Sequence, residues 1–270
     1  MKKFDPLVSI VIPTFNQIKY LPACFDHCMF QSYPALEIII VDGGSTDDTK
    51  SYLNNLIDNI STNSCTPVIE MDHEGNIIRK EILVYPQNRK IQIVTFNEDI
   101  GATKTYNEGL KRVSGEFCTY IVGDDLPHPH MIEELYSCLK STGADFVYSD
   151  VHIINDDGRI IRRIQLDEYQ FEKCFASWYH LSVSHLYRSK WHNIVGLMDE
   201  SYTAANDYDH YLRFAMSGAI FVHVPKILYS IRYHGKTRQT GQHTPERHSI
   251  LIEESKQCAY RAREWLKKQI

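Results

Sequence analysis

Four short β-branched runs, each followed by a helical pattern, constrain this chain more than any other feature. Val8 to Ile12 is followed by Leu21, Cys24, Phe25, Cys28 and Met29 at helical spacing, and Glu37 to Val41 by Tyr52, Leu53, Leu56 and Ile57. Ile91 to Phe96 precedes a helix around Lys104 to Val113, and Phe117 to Val122 precedes one carrying Met131, Leu135 and Leu139. Alternation of this kind predicts an α/β fold with a Rossmann-like, mostly parallel central sheet flanked by helices.

The remainder is less regular. Val68 to Met71 and Ile77 to Val84 flank His73-Glu74-Gly75-Asn76, which predicts a hairpin decorating the main sheet. Further strands are expected at Phe146 to Tyr148, Ile220 to His223 and Ile227 to Arg232. A second hairpin is expected through Asn155-Asp156-Asp157-Gly158, and a helix from about Ala204 to Ser217. Thr244-Pro245-Glu246 suits a helix start, and Leu251, Cys258, Ala262, Trp265 and Leu266 form one stripe of a tail helix over 244–270. Such a helix either packs on its own domain or lies at a membrane interface near a lipid-linked acceptor.

At 270 residues, 43% of them hydrophobic, the chain can bury one large core. Its net charge of -5 gives no basic footprint, which argues against nucleic acid as a partner. Seven scattered cysteines without a CxxC pair fit small buried side chains in a reducing compartment rather than disulfides or a zinc site. No run reaches the roughly 18 apolar residues of a spanning helix, and no signal-peptide pattern opens the chain, so a soluble or peripheral cytoplasmic protein is expected.

Ligands of open α/β sheets bind beyond the carboxyl ends of the strands. There the four runs deliver Pro13-Thr14-Phe15-Asn16, Asp42-Gly43-Gly44-Ser45, Asn97-Glu98-Asp99 and Gly123-Asp124-Asp125. Neither GxGxxG nor GxxxxGK followed by Ser or Thr occurs, so a dinucleotide fold and a P-loop are excluded as the means of holding phosphate. Asp124 and Asp125 are hard oxygen ligands suited to Mn²⁺ or Mg²⁺ bridging diphosphate oxygens. They equally suit a turn that caps the next helix. Asp42 can accept hydrogen bonds from a base or ribose, while Ser45 to Asp48 suit capping of the following helix.

Taken together, VSIVIPTFNQIKYL, EIIIVDGGSTDDT, EDIGATKTYNEGLKRVSGEF and YIVGDDLPHP resemble the nucleotide-binding half of inverting family 2 glycosyltransferases of GT-A fold. The likeness continues in LMDESYTAANDYDHYLRFAMSG and IRYHGKTR. It implies a GT-A domain over 1–243, with a nucleotide-binding half at 5–126 and an acceptor-side half at 127–243. Carried over residue by residue, Thr14, Asp42 and Asp99 hold the nucleoside of a nucleotide-sugar donor, UDP-sugar by default, with Pro13, Phe15, Asn16 and Lys104 completing that site. Asp124 becomes the metal-binding aspartate, aided by Asp125 and His234, and Asp207 the catalytic base. The chain departs from the family's Asp-x-Asp pattern in having Val122 at the first position. His234 also reads as an ordinary surface or core histidine, and Lys236 and Arg238 as either diphosphate contacts or a solvated basic loop.

An inverting transfer needs one base on the acceptor hydroxyl, opposite the leaving nucleoside diphosphate. Asp209 is a second candidate, but on a helix it points about 200° away from Asp207, and the motif selects Asp207. His185, Trp178 and Trp191 read as acceptor-pocket groups or as core. The acceptor is expected to be a glycan or lipid-linked species in surface polysaccharide or glycoconjugate synthesis. Peripheral attachment at the inner membrane face and homodimerisation are compatible with the chain. The rival readings are a nucleotidyltransferase, which should carry a glycine-rich basic loop after the first strand, and a noncatalytic nucleotide-sugar or glycan-binding module.

Overall fold

Residues 8–14 and 36–42 are buried at every position, which is why VSIVIPT and LEIIIVD are continuous apolar runs rather than alternating ones. The computed structural model describes residues 5–61, 65–71, 77–83, 85, 86, 88–234 and 245–269. In chain order its elements are β1 (Val8–Thr14), α1 (Leu21–Met29), β2 (Leu36–Asp42), α2 (Thr49–Ser61), β3 (Cys65–Met71), β4 (Ile77–Leu83), β5 (Lys90–Thr95), α3 (Ala102–Leu110), β6 (Phe117–Tyr120) and β7 (Leu126–Pro127). There follow α4 (Met131–Thr142), β8 (Phe146–Ile154), β9 (Ile160–Ile164), a π-helical turn (Glu172–Ser177), β10 (His185–Arg188), α5 (Trp191–Val195), α6 (Asn206–Met216), β11 (Phe221–Arg232) and α7 (Pro245–Lys267).

One nine-stranded sheet runs through both halves in the order β5-β2-β1-β6-β10-β8-β11-β7, with β9 paired to β8. Strands β5, β2, β1 and β6 are mutually parallel. β10 is antiparallel to both β6 and β8, which restores β8 and its parallel partner β11 to the direction of β1. The expected α/β sheet is therefore present, mostly parallel, and reversed locally at β7, β9 and β10. β3 and β4 pair antiparallel as a separate ribbon; the turn at 72–76 lies outside the described residues.

Alternation along β1 divides the core. Val8, Ile10 and Ile12 face a layer containing Leu21, Phe25, Leu53, Met131 and Leu135 from α1, α2 and α4. Val11, with Ile39 and Val41, faces the other layer, built from Leu110, Tyr208, Tyr211, Phe214, Cys258 and Ala262. Glu37, buried near the start of β2, receives the Ser114 and Gly115 amides at 2.7 and 3.1 Å and is satisfied at the opposite end of the sheet from the strand-end acids.

Two expectations change in detail. The separate strands at 220–223 and 227–232 form one strand, β11, whose register on β8 shifts between Val224 and Ile227. Pro225 has no N–H for the ladder there. Nor does the Asp124-Asp125 turn cap α4: that helix begins at Met131 behind His130, without a side-chain cap. Asp47 does cap α2, its Oδ1 accepting the Thr49 amide at 3.0 Å. Cys24, Cys28, Cys118, Cys174 and Cys258 are buried free thiols and Cys138 is half-buried.

Candidate functional site

β1 lies where the chain order reverses, with β2 and β5 on one side and β6 on the other, the position at which open α/β sheets bind ligands. Thr14 and Asp42 are register partners at the ends of β1 and β2. Asp42 is fully buried; its Oδ1 accepts the amide and hydroxyl of Ser45, while its Oδ2 has no hydrogen-bond partner. A buried carboxylate oxygen left open is costly unless a ligand uses it.

Loops around Asp42 are pressed together by backbone geometry. Gly44 has φ of +100°, and a Cβ there would lie 2.0 Å from the Glu98 carbonyl oxygen, so only glycine fits between the loops after β2 and β5. Asp99, in the second loop, is exposed and its Oδ1 accepts the Gly101 amide at 2.8 Å. Asn16, at φ of 51°, uses its side-chain oxygen to accept the amides of Thr46 and Asp47 at 2.7 and 3.2 Å. Asn16 thus ties the first loop to the second.

Adjacent carboxylates after β6 have different surroundings. Asp125 Oδ1 accepts the Arg232 amide at 2.7 Å and its Oδ2 the Tyr229 hydroxyl at 3.1 Å, so this side chain fastens β6 to β11. Asp124 Oδ2 lies 2.8 Å from His234 Nε2, and its Oδ1 is buried without a partner. Arg232 closes the back of this group by donating to the carbonyls of Asp124, Asn155 and Asp156 at 3.0, 3.1 and 2.9 Å. Tyr20 packs against His234 with ring centroids 4.5 Å apart.

Asp207 and Asp209, both in the first turn of α6, diverge as helical spacing requires. Asp209 is buried against Arg213, at 2.8 Å, and Arg261 of α7. Asp207 is half-buried, and its Oδ1 accepts the Tyr208 amide at 2.8 Å. Shielding from water pushes its carboxyl up to about 6, opposed by the Tyr208 amide and the nearby Tyr179 hydroxyl.

One cleft collects Pro13, Thr14, Asp124, Asp125 and Asp207 on its walls and encloses about 790 Å³ of empty space, its open mouth included. Gln17, Tyr106, Tyr120, Val183 and Asn206 also line it; none stood out in the sequence, because each belongs to an ordinary core or cap pattern until distant segments meet. Phe15 and Asn16 are half-buried beside the cleft. Lys104 is exposed on α3, two residues beyond the cleft-lining Ala102 and so on another side of that helix. Lys236 and Arg238 lie outside the described residues.

The model of glycosyl transferase family 2 matches residues 9–200. The chain belongs to that family. A glycosyltransferase of Rickettsia typhi is 25% identical over 257 residues, covering 92% of this chain and 71% of that protein. Chondroitin synthase of Pasteurella multocida is 28% identical over 236 residues, 85% of this chain but only 21% of the synthase. Among solved structures, S. aureus TarS 1-349 in complex with UDP-GlcNAc superposes with a TM-score of 0.67 at 16% identity, over 90% of this chain and 64% of that one. That likeness is one of fold, GT-A-like, and the family assignment makes this protein a nucleotide-sugar-dependent glycosyltransferase.

Within this glycosyl transferase, few side chains could hold the expected Mn²⁺ or Mg²⁺. Among the described residues no group of three or more His, Cys, Asp and Glu side chains is arranged around a metal position. The buried open Oδ1 of Asp124, with His234 beside it, fits the alternative in which a cation takes one or two protein ligands and completes its shell with phosphate oxygens and water. Asp125 has both oxygens engaged by β11. His185 belongs to the core: it bonds the Tyr211 hydroxyl at 2.8 Å, and burial pushes it down to about 3. Trp191 is buried and stacks on Phe214, while Trp178 is 37% exposed.

Proposed function

We propose that this glycosyl transferase takes its sugar from a uridine diphosphate donor and passes it, with inversion, to an acceptor hydroxyl. The observation that carries the reading is that Asp124, with an open buried oxygen, and Asp207, with a carboxyl poised near neutrality, line one cleft. The solved complexes of the structural neighbour TarS with UDP-GlcNAc and UDP favour uridine as the base.

In this mechanism Thr14, Asp42 and Asp99 hold the nucleoside, and the open Asp42 oxygen accepts a donor N–H or hydroxyl proton. Asp207 takes the proton of the acceptor hydroxyl as that oxygen bonds to the anomeric carbon and the bond to the nucleoside diphosphate breaks. A carboxyl near 6 is largely ionised at neutral pH yet basic enough to assist, a match worth about 10²- to 10⁴-fold. A divalent cation held by Asp124, with His234 beside it, would neutralise charge on the departing diphosphate.

The acceptor we favour is a glycan or lipid-linked intermediate of surface polysaccharide or glycoconjugate synthesis, in keeping with the chondroitin synthase relative. A cytoplasmic site of action accords with the free thiols. No helix among the described residues is long and apolar enough to cross a membrane.

Calorimetric titration with UDP, GDP and dTDP, each in Mn²⁺ and in EDTA, tests the donor assignment. Metal-dependent binding of UDP alone is expected. Binding of none of the three would sink the Asp42, Asp99 and Asp124 roles and favour a noncatalytic module.

A further inference from the structure

The segment that presents Asp207 is held by a residue far outside the 9–200 span of the family match. The amides of Thr203, Ala204 and Ala205 donate to the carboxylate of Glu254 on α7 at 2.9, 2.8 and 2.7 Å, and the Thr203 hydroxyl adds a fourth bond at 3.1 Å. α6 has no side-chain cap of its own, because its N-cap residue is Ala205. Glu254 accepts from the amides just ahead of α6, the last of them that of the N-cap residue Ala205, which a capping-box Glu would take from within its own helix.

Thr203 and Ala204 line the cleft together with Asn206 and Asp207. The same stretch is gripped at its edges. Thr103 on α3 donates to the Tyr202 carbonyl and accepts from Asn206 Nδ2, the latter at 3.1 Å. Arg261, two turns beyond Glu254 on α7, reaches the Tyr202 hydroxyl at 3.2 Å and pairs with Asp209. Of these contacts, the Glu254 carboxylate alone fixes three consecutive backbone amides immediately before the base-bearing turn. Charge-assisted bonds of this kind are roughly twice as strong as neutral ones.

We infer that Glu254 is a positioning residue of the transferase, its carboxylate fixing backbone 203–205 and through it the aim of Asp207 into the cleft. The inference rests on the reading of Asp207 as the base. It makes α7 a working part of the site rather than a surface appendage. A displacement of about 1 Å at a reacting group costs on the order of 10²-fold in rate, so the anchor should govern turnover without touching the donor.

The test compares Glu254→Ala, Glu254→Gln and the exposed control Glu253→Ala by amide hydrogen exchange without ligand, and by kcat and donor KM. In Glu254→Ala, exchange at 203–207 should accelerate about tenfold or more while β1 and β2 stay protected. Its kcat should fall by about 10- to 100-fold with donor KM changed less than about twofold. Glu254→Gln, which keeps one acceptor oxygen, should fall between Ala and wild type, and Glu253→Ala should match wild type. Unchanged exchange at 203–207, or an unchanged kcat, in Glu254→Gln overturns the inference even if Glu254→Ala fails to fold. Wild-type protein that transfers no sugar would instead refute the proposed function, leaving the exchange data to decide the anchor.

Discussion

His234 Nε2 meets Asp124 Oδ2 at 2.8 Å, with each side chain only 1% exposed, so a residue just past β11 orients the carboxylate that follows β6. The partner occupies one oxygen of Asp124, a cleft-lining residue, and leaves the other buried without a hydrogen-bond partner. A residue whose two oxygens are divided in this way can be held rigidly and still present a ligand atom.

Because outer partners of a metal ligand are worth about 10- to 100-fold in affinity, His234→Ala should raise the Mn²⁺ concentration for half-maximal UDP binding by that factor. Asp124→Asn should remove the metal dependence. Titration of UDP binding against Mn²⁺ checks both, and an unaltered midpoint in His234→Ala would refute the shared site.

Burial pushes the Asp207 carboxyl up to about 6. As a base it must be ionised, so kcat should fall as pH drops through about 6, and Asp207→Asn should lose about 10²- to 10⁴-fold in kcat with donor affinity retained. The stability sign is opposite. A carboxyl raised from 3.8 in the folded state favours the fold when protonated, and that contribution is lost as pH rises through about 6. Asp207→Asn should therefore melt at or above the wild-type temperature at pH 8, an advantage that shrinks toward pH 4. A lower Tm at pH 8 would count against the shielded carboxylate.

Asp209→Asn should behave in the reverse way. Removing this charge leaves Arg213 and Arg261 without their common partner, and because both cations retain some solvent contact we expect a loss of about 2–3 kcal/mol. Urea denaturation measures it. A midpoint equal to wild type would show that the pair contributes nothing.

Gly44→Ala would force the loops after β2 and β5 apart, since the added carbon would sit 2.0 Å from the Glu98 carbonyl oxygen at a φ of +100°. A stability loss of about 1–3 kcal/mol is expected, together with weaker UDP binding through the displaced Asp42 and Asp99. Calorimetry showing wild-type UDP affinity would separate this junction from the donor site.

The parallel half was legible because β1, β2 and β6 are buried on both faces and their apolar runs end abruptly in acids and glycines. Helical geometry required Asp207 and Asp209 to diverge, and the family motif selected Asp207. Sequence could not separate Asp124 from Asp125, because what distinguishes them is β11, which arrives about a hundred residues later to occupy one pair of oxygens. Tyr106, Tyr120 and Val183 were hidden for the same reason: each is an unremarked member of its own segment, and only three-dimensional closure gives them a common surface. Nothing in the sequence around Glu254 marked it, since the amides of residues 203–205 that donate to its carboxylate lie about fifty residues away.

β10 enters the sheet against the grain of its neighbours, with Tyr187 opposite Cys118 of β6 and His185 opposite Tyr148 of β8. The chain therefore reaches the cleft just before β10 begins, where β6 is leaving, and Val183 comes to face the same space as Tyr120 and Val122. A parallel insertion would have offered that rim another strand exit. With β10 reversed, the rim is made partly from a chain on its way in, so the loop before β10 can change in length or composition and reshape that wall of the cleft without disturbing the strand exits proposed to hold the nucleotide.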